Sequence, residues 1–273
     1  MTDDNRIIES NDNDIVRSSA TALVESGVTP IEVEYTPVSD LYGDETKALI
    51  LHYSVHSLSV GEITEETAEK IQGTASVDLF FRLMDKAYTL ITRLRTIGSS
   101  IKWIAVPCPQ AVLKCTDAGE RIKKITHGDL KIKGLRVLIR KSMLSDKSAV
   151  KAFMSEMGNE GIKTVIEGFG DEDFPLQDML GYLPDSLIMT GLIDELTSKT
   201  KSAGIRALID YGKSLQADVI AYGVNTDEEV RELRAADIFG LIPSEHYEGV
   251  FNFNGQRVTA ETLLTASKGE QEV

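Results

Sequence analysis

Positive charge is scarce in this sequence. Its 273 residues include 29 lysines and arginines against 43 aspartates and glutamates, which gives a formal net charge of −14 at pH 7. Proteins bind phosphate groups by replacing their counterions with lysine and arginine, so this balance argues against a broad nucleic-acid or anionic-membrane surface. A basic protein partner is compatible with the charge. We therefore expect neither nucleic acid nor a membrane among its partners.

Cysteine and long apolar runs are also scarce. Cys108 and Cys115 are the two cysteines, and they do not form a metal-binding pattern. The sequence has no apolar run of membrane-spanning length and no recognisable signal peptide. We expect a cytosolic protein with both thiols reduced, and the sequence predicts no metal and no cofactor.

Short apolar runs alternate with helical patterns over most of the chain. The 42% of hydrophobic residues can supply a sizeable core. From about Ile31 to Leu241, runs rich in Val, Ile and Leu predict one α/β domain with a largely parallel sheet. Earlier in the chain, residues 14–26 have apolar side chains at helical spacing, followed by Gly27. They predict a helix that either docks on the domain or serves as an arm for a partner or for dimerisation.

Residues 217–240 show the clearest unit of this pattern. The run A-D-V-I-A-Y-G-V predicts a strand, Thr226 caps a helix with acids in its first turn, and a second short strand ends at Gly240. This β-α-β unit resembles the end of the EAL domain, the bacterial cyclic-di-GMP phosphodiesterase family. There a strand ending in A-E-G-V-E-T leads through a helix to a strand ending in Q-G. The resemblance implies that the two glutamates and the glutamine used in catalysis are here Tyr222, Asn225 and Phe239.

The beginning of the pattern also resembles this family. Residues 31–38 and 47–53 predict two strands joined by a turn at Gly43, and Y-T-P-V resembles the family's Y-Q-P-I. The resemblance implies a TIM-barrel-like EAL fold with an antiparallel first strand pair. We divide the chain into an amino-terminal helical extension (1–30), an EAL-like domain (31–262) and a flexible tail (263–273).

The motif that names the family is altered. The family has E-A-L followed by L-R, in which the glutamate ligates metal and the arginine holds a ligand phosphate. This chain has K-A-L-I-L, so the resemblance assigns Lys47 to the glutamate position and Leu51 to the arginine position. Lysine repels a divalent cation instead of binding it. Thr36 replaces the glutamine of Y-Q-P.

Other family motifs have lost polar groups as well. The segments resembling N-x-S, L-E-I-T-E-S, D-D-F-G and D-x-L-K-I-D carry other residues at the functional positions: Pro107 for the asparagine, Leu138 and Lys141 for the two glutamates, Glu167 and Gly168 for the aspartate pair, Ile188 for the lysine and Thr190 for the last aspartate. Proline has no side-chain oxygen, and isoleucine cannot activate water. Glu167 is the one acidic residue left at a metal-ligand position.

Basic residues stand in for several of the lost acids. We expect Lys47, Arg140 and Lys141 at the carboxyl ends of barrel strands, where TIM-barrel enzymes have their active sites. Basic residues at this end of the barrel, its mouth, would form a pocket for an anion or an acidic partner. In the other interpretation, these cations are solvated or paired with nearby acids.

The altered motifs favour a catalytically inactive EAL-like regulator that binds another protein, in bacterial control of motility, biofilm or gene expression. The alternatives are a cyclic-di-GMP receptor that binds without hydrolysis, an active phosphodiesterase using a different site, and an unrelated barrel enzyme. No nucleophile–base pattern supports the last of these. Candidate contact surfaces are the mouth, the helix at 226–235, the amino-terminal arm and, for a homodimer by family resemblance, the region of Gly168–Pro175.

Overall fold

The computed structural model describes residues 31–57, 61–64, 74–127, 134–191, 199–249 and 251–269. The predicted amino-terminal helix at 14–26 lies outside these ranges. The strands are β1 Ile31–Ser39, β2 Thr46–Ser57, β3 Gly61–Thr64, β4 Trp103–Pro107, β5 Leu135–Arg140, β6 Lys163–Phe169, β7 Ser186–Met189, β8 Asp218–Val224 and β9 Gly240–Pro243. The helices are α1 Thr74–Thr96, α2 Ala118–Ile125, α3 Lys147–Asn159, α4 Met179–Tyr182, α5 Lys199–Ser214, α6 Asp227–Ala235 and α7 Ala260–Gly269.

Eight of the strands close into a barrel. Their order is β1-β9-β8-β7-β6-β5-β4-β2, and β1 pairs with β2 to complete the circle, while β3 extends the edge of β2. β1 runs antiparallel to both of its neighbours, whereas the pairs from β2 through β4 to β9 are parallel. The predicted TIM-barrel-like fold with an antiparallel first strand pair is confirmed.

Two apolar layers hold the barrel together. The larger layer fills the space between the strands and the outer helices. The smaller one fills the barrel itself with one or two side chains from each strand: Val38, Ala48, Ile50, Trp103, Ala105, Leu138, Val165, Ile188, Ile220 and Ile242. Because side chains alternate along a strand, each barrel strand supplies both layers, which explains the near-continuous apolar runs in the sequence.

A capping box starts α6. The Thr226 side chain accepts a hydrogen bond from the backbone N–H of Glu229 at 3.2 Å, and the Glu229 carboxylate accepts from the backbone N–H groups of Thr226 at 3.0 Å and Asn225 at 2.7 Å. These bonds satisfy donors that the first helical turn leaves unpaired. The predicted helix start at Thr226 is therefore confirmed.

Replacing Thr226 with alanine is expected to lower the free energy of unfolding by about 1 kcal/mol, because the N-cap acceptor is lost. Urea denaturation measures this change. The matched control is Thr265→Ala on α7, where the exposed hydroxyl bonds only to the carbonyl of Glu261; we expect it to stay within about 0.5 kcal/mol of the parent. Equal losses in the two variants would contradict the capping role.

Two predicted boundaries are wrong. The helix α7 continues to Gly269, past residue 262 where we expected the flexible tail to begin, because Leu263 and Ser267 are buried against the domain. The last strand of the β-α-β unit begins at Gly240 instead of ending there. A Cβ at Gly240 would lie 2.6 Å from the carbonyl oxygen of Ser39, so the close approach of β1 explains the glycine.

Candidate functional site

One rim of the barrel, which we call the mouth, is formed by the carboxyl ends of the parallel strands and the amino end of β1. Along each strand, the residue two beyond an inward-facing apolar side chain is the next one that faces the barrel axis. Counting in this way from the barrel core gives the mouth positions His52, Pro107, Arg140, Glu167, Thr190, Tyr222 and Ser244. Four residues predicted from the family motifs are therefore brought together here: Pro107, Glu167, Thr190 and Tyr222.

The cations predicted at the mouth are engaged by the protein. The Nε atom of Arg140 lies 3.4 Å from a carboxylate oxygen of Glu167, and both side chains are partly buried. Lys141, the first residue after β5, donates from its Nζ to the backbone carbonyl of Glu172. The second interpretation of these residues, as cations paired within the protein, is the one that the geometry supports.

Gly168 lies beside Glu167 in a conformation that other residues rarely adopt. Its φ is 88°, and a Cβ there would lie 2.9 Å from the Cβ of Lys141 and 3.2 Å from a carboxylate oxygen of Asp171. A side chain at residue 168 would therefore strain the backbone and displace its neighbours. The chain cannot hold a second carboxylate at this position without rearranging the loop.

Two residues near the mouth, Asp171 and His52, were not predicted from the family motifs. The Thr190 hydroxyl donates to the carboxylate of Asp171, 2.8 Å from Oδ1 and 2.9 Å from Oδ2. His52 lies 3.0 Å from the Thr36 hydroxyl. The alternation of side chains along β2 signals His52, two residues after Ile50, but no sequence periodicity signals Asp171, since it follows the end of β6. Asn225 follows β8, and its side chain donates to the carbonyl of Gly223.

Three predicted positions carry side chains enclosed by the fold. Leu138 and Ile188 belong to the barrel core, one layer below the mouth. Leu51 packs between the barrel and the outer helices. A side chain at residue 51 thus points away from the barrel axis, so the predicted correspondence of Leu51 with the phosphate-holding arginine is wrong.

Lys47 and Phe239 lie at the opposite rim, which we call the floor. Lys47 is the second residue of β2, and Phe239 immediately precedes β9. The strand from Lys47 to His52 is roughly 16 Å long at about 3.3 Å per residue. The prediction that Lys47 lies at the mouth is therefore wrong. Phe239 is likewise too far away to replace a catalytic glutamine.

A stack of rings and cations closes the floor. Trp103 and Phe239 stack with centroids 5.9 Å apart and an interplanar angle of 24°. The guanidinium carbon of Arg136 lies 4.3 Å from the Trp103 ring centroid, and the Nζ atoms of Lys47 and Lys102 each lie 5.5 Å from the Phe239 centroid. Lys47 also donates to the carbonyl of Phe239 at 3.2 Å. Cation–π attraction stabilises such contacts.

Arg136 is the buried charge of this floor. Its side chain is 6% exposed; it donates to the Ser186 hydroxyl and, at 3.1 Å, to the carboxylate of Asp218. Burial lowers the pKa of the guanidinium, and the nearby carboxylates of Asp218 and Asp185 oppose this effect. Arginine remains protonated in proteins, and Asp218 supplies the opposite charge for this buried cation.

The family of the chain follows from its fold and its sequence together. The family model described as the EAL domain matches residues 31–241, which contain the whole barrel apart from the end of β9. The chain belongs to the EAL domain family. This is the cyclic-di-GMP phosphodiesterase family expected from the motifs. No curated protein sequence matches the chain.

Solved structures of EAL domains have the same fold. The PaMucR phosphodiesterase in complex with c-di-GMP is 17% identical, with a TM-score of 0.72, and the match covers 91% of this chain and 99% of that one. The FimX EAL domain from Pseudomonas aeruginosa bound to c-di-GMP is 13% identical, with a TM-score of 0.66 and coverage of 86% and 95%. An EAL domain protein from Listeria monocytogenes is 13% identical, with a TM-score of 0.69 and coverage of 91% and 96%. At these identities the similarity establishes the shared fold alone.

The divalent cations that the family implies do not fit the residues at this mouth. Hard cations of this kind need several oxygen ligands that converge on one point. Of the positions at the carboxyl ends of the parallel strands, only Glu167 carries a carboxylate, and Arg140 is its partner; Glu34 of β1, which pairs with His52, is exposed. Asp171 is bound by Thr190. Within the described ranges, no three His, Cys, Asp or Glu side chains come together in a way that could hold a metal ion.

None of the helices in the described part of the chain combines the length and the apolar character needed to cross a membrane. The predicted dimer region, Gly168–Pro175, is followed by three exposed leucines, Leu176, Leu180 and Leu183. Dimerisation there stays a prediction.

Proposed function

We propose that this EAL domain does not hydrolyse cyclic-di-GMP and that it acts as a regulatory module that binds another protein in bacterial signalling. Its mouth has the position of an active site in the barrel but lacks the groups that hydrolysis requires. Phosphodiester cleavage by metal ions requires carboxylates that hold the ions close to the attacking water and the leaving group. A role in binding accounts for a barrel that keeps its fold without those groups.

The observation that carries the proposal is the ion pair of Glu167 with Arg140. Glu167 is the single carboxylate among the seven positions counted on the parallel strands, and the Arg140 guanidinium lies 3.4 Å from it; on β1, Glu34 pairs with His52 and is exposed. Recruiting Glu167 to a cation would break this pair and bring two positive charges together. The restriction at Gly168 supports the same conclusion, because the adjacent position has no room for a second ligand.

A receptor that binds cyclic-di-GMP without cleaving it is a second candidate. Tyr222 favours it, since this aromatic side chain is 44% exposed at the mouth and offers a flat apolar surface to a base. The FimX EAL domain is described bound to c-di-GMP, and the PaMucR phosphodiesterase is described in complex with it. Thr36, Ile188 and the outward-facing Leu51 supply no cation for the phosphates.

Calorimetric titration with cyclic-di-GMP, with and without Mn²⁺ or Mg²⁺, followed by chromatography of the nucleotide, tests both candidates. We expect no heat of binding and no cleavage. Binding without cleavage would support the receptor function, provided that the Tyr222→Ala variant binds cyclic-di-GMP more weakly. Cleavage by the protein itself would refute the proposal.

Glu167→Gln is the matched control for a contaminating phosphodiesterase. Trace cleavage that persists unchanged in this variant does not come from the mouth, whereas cleavage abolished by it would assign catalysis to Glu167. The variant Lys47→Glu, which recreates E-A-L in the sequence, is expected to produce no hydrolysis, because residue 47 lies at the floor.

A further inference from the structure

A cleft of about 370 Å³ opens at the floor of the barrel, beside the amino ends of β8 and β9. Four charged side chains line it: Lys47 and Lys213 are basic, and Asp218 and Asp237 are acidic. Phe239 contributes its ring. The cleft lies at the end of the barrel opposite the mouth, so a ligand here would leave the mouth untouched.

The lysines around this cleft differ in what they contact. Lys213 donates to the carbonyl of Ala236 at 3.0 Å and lies 3.9 Å from the carboxylate of Asp237. Within the described residues, the ammonium group of Lys47 contacts the carbonyl and the ring of Phe239, and that of Lys102 contacts the ring. Among the described residues, no carboxylate lies within 4.0 Å of the ammonium group of either Lys47 or Lys102.

The two lysines are neighbours at the start of β2 and just before β4, where the backbone N–H of Lys102 donates to the carbonyl of Lys47 at 2.7 Å. Each ammonium group lies 5.5 Å from the centroid of the Phe239 ring. Two like charges held near each other without a counterion attract an anion. Deeper in the same stack, Arg136 is 5% exposed and its Nε has no acceptor among the described residues. The floor thus holds an excess of donors at this point.

Two acidic residues of the cleft select among anions. Asp218 and Asp237 also line the cleft, and their negative charge disfavours a doubly charged phosphate more than a singly charged carboxylate. We propose that the floor binds an acidic segment of another protein at the edge of this cleft, with a carboxylate between the ammonium groups of Lys47 and Lys102. This inference rests on the proposed role in protein binding, and it specifies that the partner binds through an acidic segment.

The net charge of −14 makes the proposal easy to test. A protein with this charge repels acidic peptides at long range, so an acidic peptide that binds must do so through a local basic site. We would titrate the full chain, with ¹⁵N-labelled lysine side chains, with the blocked tripeptide acetyl-Glu-Asp-Glu-amide at low ionic strength. The expected result is a saturable shift of the Lys47 and Lys102 Nζ signals, which is lost with acetyl-Gln-Asn-Gln-amide.

Three single variants of equal net charge locate the site. We expect Lys47→Gln and Lys102→Gln each to weaken tripeptide binding about fivefold, because each removes one of two charges that contact the carboxylate. Lys213→Gln removes a lysine from the same cleft whose ammonium is already engaged, and we expect a change of less than twofold. Equal losses in all three variants would show a general charge effect and overturn the proposal.

Two further results would also overturn it. One is the absence of saturable tripeptide binding to the parent protein. The other is tighter binding of inorganic phosphate than of the tripeptide, which would identify the site as one for small phosphate compounds. Hydrolysis of cyclic-di-GMP at the mouth would refute the proposed function but would leave these floor measurements unchanged, so the two failures can be distinguished.

Discussion

Replacing Trp103 with alanine is expected to lower the free energy of unfolding by about 3 to 5 kcal/mol, as large-to-small substitutions of buried aromatic residues do. The side chain is 1% exposed, contacts the Arg136 guanidinium and stacks with the Phe239 ring. Its loss leaves a cavity and separates the stack. Because Trp103 is the single tryptophan of the chain, urea denaturation should be followed by far-ultraviolet circular dichroism instead of fluorescence.

Trp103→Phe is the matched variant for the stack. It keeps an aromatic face toward Phe239 and Arg136, so we expect it to lose clearly less stability than Trp103→Ala. Stability within about 1 kcal/mol of the parent in the alanine variant would mean that the floor is not a structural element of the barrel.

Replacing Asp218 with alanine is expected to cost about 3 kcal/mol of unfolding free energy, since it leaves the buried charge of Arg136 without its carboxylate. The reverse variant, Arg136→Met, should cost less. The Asp218 side chain is 35% exposed and can be solvated by water when its partner is lost, whereas the Arg136 side chain is 6% exposed and cannot. Denaturant titration of both variants measures this asymmetry.

The double variant completes the comparison. With Arg136→Met in place, the further change Asp218→Ala leaves no buried cation unpaired, so we expect it to cost less than Asp218→Ala does alone. If Arg136→Met were the more damaging single change, packing of the arginine stem on Trp103 would outweigh its charge in this floor.

Much of the barrel could be predicted from local sequence patterns. Apolar runs of strand length, the turn at Gly43 and the capping residue Thr226 are local features, and each is found where the sequence places it. The ends of strands were harder to predict. Gly240 begins β9 because β1 packs against its backbone, and this contact joins residues about 200 positions apart. The local periodicity of the sequence cannot predict such a long-range contact.

The mouth was predicted only in part, for a related reason. Matching K-A-L to E-A-L by letters placed Lys47 at the mouth, but the side-chain period of two and the true start of β2 place it at the floor. Pro107, Glu167, Thr190 and Tyr222 lie at the mouth because each is near the end of a strand that its own apolar run delimits. The pairing of Arg140 with Glu167 depends on the neighbouring order of β5 and β6, which no single motif contains.

The reversed direction of β1 has a consequence for whatever precedes it. Ile31 pairs with Val55 near the mouth end of β2, so the polypeptide enters the domain at the mouth and not at the floor. A flexible tether of a few tens of residues holds an attached group at an effective concentration on the order of millimolar near its anchor. A ligand fused before Ile31 through a flexible linker would therefore be presented to the mouth, whereas the floor cleft lies at the other end of the barrel.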